Sequence, residues 1–108
     1  MGLFSFLESK IDNINGIEFP KFKGGKKVSS WQRNNQKYKR KDYLYKDYDE
    51  MQIQSFISEI GTYGFHKKND VRYEKDSNTY IIIEKQTQWF FTKREVLHIA
   101  FHVKKMNY

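Results

Sequence analysis

The sequence predicts an α+β fold, with two short helices packed on a curled antiparallel β-meander, in a single domain covering residues 1–108. Three observations carry this. Apolar residues recur at helical spacing near the N-terminus and again between residues 49 and 60. Beyond Gly64 the apolar period changes to two. The length of 108 residues leaves no room for a second core of useful size.

The first helix is predicted from Gly2 to Ile14. Phe4, Leu7, Ile11 and Ile14 line one face, and Asn15-Gly16 is a natural stop. Next, Ile17 and Phe19, with Phe22 as a further candidate, suit a short strand before the turn at Gly24-Gly25. Val28 to Lys41 shows no clear period and is assigned to loop or irregular strand. Tyr43 and Tyr45 alternate with polar neighbours, a weak strand signal.

The second helix is predicted from Asp49 to Ile60. Ile53, Phe56, Ile57 and Ile60 fall at i, i+3, i+4 and i+7. Asp49 with Gln52 makes a capping-box pattern, Asp47 with Glu50 offers the same, and Gly61 is placed to end the helix. The C-terminal part, residues 71–105, is the meander. Val71 to Glu74 forms a strand, Lys75 to Asn78 a turn, and Thr79 to Lys85 the hairpin partner. Trp89 to Thr92 is expected as a third strand and Lys93 to Glu95 as a turn. The last strand is the clearest, with Leu97, Ile99, Phe101 and Val103 alternating with His98, Ala100, His102 and Lys104. A strongly curled sheet of this size can close into a small barrel of the PUA or OB shape.

Hydrophobic residues make up 38% of the chain and aromatics 18%, so the core must be built largely from rings. The chain has no cysteine, which removes disulfides, thiolate metal sites and cysteine nucleophiles. No apolar run approaches the roughly 20 residues that span a bilayer. The start MGLFSFLESKI lacks the basic region of a signal peptide and, with Phe6 where Ser or Thr is required, the myristoylation pattern. A cytoplasmic setting is expected, and the size and composition suit a plasmid or mobile-element protein.

The net charge of +7 is concentrated. Residues 21–41 hold nine cations and no acid, while the rest of the chain has 11 basic and 13 acidic residues. Concentration in one segment favours a polyanionic partner over a general solubility role. The stretch KGGKKVSSWQRNNQKYKRK, residues 23–41, interleaves these cations with rings. Its predicted phosphate contacts are Lys26, Lys27, Arg33, Lys37, Lys39, Arg40 and Lys41, and its predicted base-stacking rings are Trp31 and Tyr38. About four to six of the cations are expected to reach one strand.

Other chemistries have weaker support. His98 and His102 share a face of a strand but stand roughly 13 Å apart, too far to share an ion, so they are expected as partly solvated residues opposite the core face. His66 lies in the basic connection Phe65-His66-Lys67-Lys68, with no tuning partner at a readable spacing. Lys23 to Lys27 lacks the spacing of a phosphate-cradling loop. The expected function is therefore binding of RNA or single-stranded DNA by a small basic regulatory or accessory protein. No catalytic residue, metal or cofactor is expected. The alternatives are a metal-independent ribonuclease toxin and a protein-docking or inhibitor module.

Overall fold

The computed structural model describes residues 10–89 and 91–105. Two sheets and one helix make up the described residues. Strands β1 (Ile11–Ile14) and β2 (Ile17–Pro20) form a hairpin. The larger sheet contains β3 (Lys26–Asn34), β4 (Tyr38–Lys46), β5 (His66–Lys67), β6 (Arg72–Asp76), β7 (Thr79–Trp89) and β8 (Lys93–Lys104), in the order β3-β4-β8-β7-β6-β5. All its pairings are antiparallel. Helix α1 (Glu50–Thr62) connects β4 to β5. The predicted α+β class with an antiparallel meander holds. Barrel closure is not seen, because no pairing joins the end strands β3 and β5 among the described residues.

The first predicted helix is corrected where the structure describes it. Residues 2–9 lie outside the described residues, and Ile11–Ile14 is strand. The physical reason is the Asn15-Gly16 pair. Both residues have positive φ, 53° and 83°, and Ile14 pairs directly with Ile17. That is the two-residue turn whose backbone twist matches a β-hairpin, and Asn-Gly is its preferred sequence. The pair that suggested a helix stop instead reverses a strand.

Helix α1 forms as predicted. The Asp49 carboxylate accepts from Gln52 N at 2.8 Å, and the Gln52 amide oxygen accepts from Asp49 N at 3.0 Å. Ile53, Phe56 and Ile60 are buried. The helix runs past Gly61, and Gly64 supplies the left-handed residue, with φ at 92°. Phe65 N donates to Ile60 O and Gly64 N to Gly61 O, the paired bonds of a Schellman end. Phe65 and Ile60 are both buried, which seats the chain for β5.

The segment assigned to loop, Val28 to Lys41, is mostly a long hairpin. Eight of the nine residues of β3 pair with β4, with a bulge between Lys27 and Ser29. Every residue of β3 is exposed, so burial imposes no apolar alternation for the sequence to show. Two other boundaries move. β7 continues through Gln86, Thr87 and Gln88 to Trp89, and β8 begins at Lys93, where a turn was expected. Among the described residues no third strand pairs with β7 beyond Ile82 or with β8 before Leu97. From Lys85 to Trp89 and from Lys93 to Glu95 no residue is buried, so the apolar period fades.

The core lies on one face of the large sheet. Tyr43 and Tyr45 of β4, Leu97, Ile99, Phe101 and Val103 of β8, and Ile81 and Ile83 of β7 point to it. Helix α1 and the β1–β2 hairpin cover them with Ile53, Phe56, Ile60, Ile14 and Phe19. Phe19 stacks on Phe101 with centroids 4.8 Å apart, and Phe22 meets Tyr45 and Phe56 edge-on. Phe101→Ala is expected to destabilise by about 3–5 kcal/mol, the cost of emptying a buried aromatic site. Asp49→Ala is expected to lose about 0.5–2 kcal/mol through the cap. Denaturant melts that show equal losses at the two sites would contradict this arrangement.

Candidate nucleic-acid interface

The second face of the large sheet, opposite α1, holds the candidate site. The register places Trp31 and Arg33 of β3 level with Asp42 and Arg40 of β4, and these level with Ala100 and His102 of β8. Tyr80 of β7 lies opposite His102, and Glu84 opposite His98. Residues far apart in sequence thus form one surface by strand parity alone.

Two clusters occupy it. In the first, the buried Asp42 carboxylate receives Arg40 through Nε and Nη2, each at 2.8 Å, and His98 Nε2 at 2.7 Å. The Gln86 amide nitrogen stands 3.2 Å from His98 Nδ1. An amide N–H donates, so Nδ1 accepts and Nε2–H donates to Asp42. Burial pushes the Asp42 carboxyl up, but the hydrogen bonds from His98 and Arg40 outweigh it and hold it below the usual range. The same bond to Asp42 raises Arg40. Trp31 stacks on His98 with centroids 5.8 Å apart while remaining 41% exposed.

The second cluster is a ladder of rings. His102 lies 4.8 Å from Tyr38 and 4.4 Å from Tyr80, both stacked. The Arg72 guanidinium sits 3.7 Å over the Tyr80 ring, and Arg33 Nη1 donates to the Tyr38 hydroxyl at 3.3 Å. That bond from Arg33 is the main reason the Tyr38 phenol is held below its ordinary value. The expectation that both histidines are partly solvated holds for His98 and is corrected for His102. His102 is 6% exposed and its Nδ1 has no hydrogen-bond partner. The ring ladder explains this, since stacked neighbours on β4 and β7 seal it without a covering helix.

The predicted site residues do not act as one set. Trp31, Arg33, Tyr38 and Arg40 meet on the second face, and Lys37 stands beside them in the β3–β4 turn. Lys27, Lys39 and Lys41 belong to the opposite face, by their register with Tyr45, Val103 and Phe101. Lys26 pairs across from Lys46 at the far end of the hairpin. The acids missing from residues 21–41 arrive from elsewhere. Lys41 donates to Asp12 at 3.0 Å, Lys23 to Glu59 at 2.8 Å, and Arg40 is held by Asp42, one residue past the run. Among the described residues Lys26, Lys27, Arg33, Lys37 and Lys39 make no ion pair. Sequence reasoning missed Asp42, Gln86, Tyr80 and Arg72. Their signal is the shared parity of β4, β8, β7 and β6, which appears once the register is known.

Both His98 nitrogens are engaged, and no group of three or more His, Asp or Glu able to hold a metal occurs among the described residues. No helix of the described residues is long and apolar enough to cross a membrane. Comparison with protein-family models, curated proteins and solved structures finds no match to the chain.

The ladder makes a pH prediction. Burial, then the cations Arg40, Lys104 and Arg72, push His102 down from 6.5 to about 4, with Asp42 opposing weakly. The unfolded chain therefore binds more protons between these values, and stability falls as pH drops from about 6.5 towards about 4. His102→Ala should remove this slope between pH 4.5 and 6.5 in denaturant melts. At pH 7 the variant should lose the two ring stacks, each worth about 0.5–1.5 kcal/mol. A slope unchanged by the substitution would assign the effect to other groups.

Proposed function

We propose that the protein binds single-stranded nucleic acid, RNA or DNA, through the second face of its large sheet, as a regulatory or accessory factor and without catalysis. The observation that carries this reading is Trp31, a ring left exposed on a sheet face near Arg33, which makes no ion pair among the described residues. It stacks on His98 on one side, and Arg33 lies two residues along the same strand. An exposed ring beside ammonium and guanidinium groups suits a base and its phosphate, because stacking tolerates any base and the cations follow the backbone. Lys37 extends the positive edge beyond Arg33.

The internal pairings revise which cations serve. Arg40 and Lys41 spend their charge on Asp42 and Asp12, so their removal damages the fold before it weakens a ligand. Arg33 and Lys37 are the phosphate contacts on this face, Lys39 and Lys27 approach from the other, and Lys26 lies at the hairpin's far end.

Fluorescence anisotropy with labelled RNA, single-stranded DNA and duplex DNA over a salt series tests the reading. Log affinity should fall linearly with log salt, by about 0.7 per phosphate neutralised on a single strand. Arg33→Ala with Lys37→Ala should reduce the slope by about 1.4. Trp31→Ala should cost about 1–3 kcal/mol and leave the slope nearly unchanged, since stacking releases no counterions. Failure of all three ligands to bind below about 100 μM at physiological salt would overturn the reading, because non-specific duplex binding alone usually reaches that range.

A second reading, docking on another protein, is favoured by one observation. Among the described residues β3 is a nine-residue edge strand with β4 as its single partner, which leaves its outer edge for an extended peptide. Binding to a protein partner that survives high salt, with no nucleic-acid retention, would select it.

A further inference from the structure

A cleft of about 500 Å³ opens at the end of the second face, where the last residues of β8 pass between two turns. One wall is the β3–β4 turn, with Lys37 and Tyr38. The other is the β6–β7 turn, with Asn78, and the first residues of β7, with Tyr80. Lys104 and Lys105 close the end, and His102 lies inside. Among the described residues none that lines the cleft is acidic. Arg40 and Arg72 add to the positive field at His102.

The walls are fixed before any ligand arrives. Asn35 Oδ1 accepts from Lys37 N at 2.8 Å and from Tyr38 N at 3.0 Å. Lys105 N donates to Lys37 O at 2.8 Å and Lys104 N to Asn78 O at 2.7 Å, tying both turns to the end of β8. Asp76 Oδ1 accepts from Asn78 N at 2.7 Å, turning this acid to its own turn. Lys105 Nζ is anchored on Asn34 Oδ1 at 2.6 Å, which leaves it two further N–H groups.

We propose that this cleft binds a phosphate monoester, and, resting on the nucleic-acid reading above, that the monoester is the terminal phosphate of a bound strand. A backbone diester carries one negative charge. A monoester carries about −1.5 to −2 at neutral pH and three strong acceptor oxygens. Three lysines lining one cleft, with no acid among its described lining residues, match the monoester. The position also fits. The cleft closes the surface that begins at Trp31, at the end where β8 leaves the sheet, and a strand stacked on Trp31 and passing Arg33 would bring its end here. A free mononucleotide offers the same chemistry.

The test uses the full chain and one short single-stranded sequence in three forms, with a 5′-phosphate, with a 3′-phosphate, and with hydroxyls at both ends. One phosphorylated form should bind about tenfold more tightly than the hydroxyl form, the scale of one charge-assisted contact. Lys104→Gln with Lys105→Gln should abolish that preference and leave the affinity for the hydroxyl form unchanged, with the melting temperature as the check on folding. Equal affinity of the wild type for all three forms would overturn the strand-end proposal while leaving the general binding intact. If no strand binds in any form, the nucleic-acid reading fails separately, and adenosine monophosphate titrated against the His102 and Tyr38 ring resonances decides the shared chemistry. Saturable shifts, lost in the lysine variant, would support a free monoester as the ligand. The absence of shifts would overturn the cleft as a phosphate site.

Discussion

The parity of β8 governs this molecule. A strand shows its side chains to two sides alone, and β8 has β7 along one edge and β4 along the other from Leu97 to Lys104. From Val96 to Val103 its residues are buried on both faces, His98 least so. The odd residues must then be apolar, because α1 and the β1–β2 hairpin seal them. The even residues lie on a face that no element of the described chain covers, yet they carry histidines and face a carboxylate. Such groups can be sealed only if neighbouring strands bring hydrogen bonds and rings at the right register. A slip of one residue would move His98 and His102 into the ring core and Leu97 and Phe101 out of it. Register, core and polar face are thus one constraint.

Charge follows the same logic. The cationic run looks uninterrupted along the chain, but folding interrupts it. Asp42 takes Arg40 on one face and Asp12 takes Lys41 on the other, each with a second partner, His98 and Tyr43. Lys23 reaches across to α1 at Glu59. The acids that form these pairs are largely hidden, so what remains outside is more positive than a count of nearest neighbours suggests. Tyr48 shows a related economy, donating to Glu95 of β8. Burial and that carboxylate both raise its phenol, keeping it protonated.

Much of this could be seen in the sequence, and the reasons for success and failure are physical. Helix α1 was legible because its cap, its apolar spacing and its burial agree. β8 was legible because its odd positions are apolar without exception from Leu97 to Val103. The β3–β4 hairpin was not, since a strand with all nine residues exposed has no buried side to mark. β1 was misread because Ile11 and Ile14 suit a helix until the handed turn at Asn15-Gly16 is considered. Of the site, Trp31 and the cations were visible as composition. The Asp42–His98 pair was not, because 56 residues separate the partners and only register joins them.

The edge of β3, unpaired among the described residues, also bears on how the protein behaves in crowded solution. A long exposed strand edge is a template on which identical chains can stack into fibrils. Here that edge carries Lys26, Lys27 and Arg33, and the bulge at Val28 breaks its regular backbone spacing. Two such edges approaching each other would bring like charges together along their length. This protection is electrostatic, with a range that shrinks from about 10 Å at 0.1 M salt to about 3 Å at 1 M. Colloidal stability in this protein is therefore set by ionic strength, and a concentrated stock in strong salt is where edge-to-edge self-association would begin.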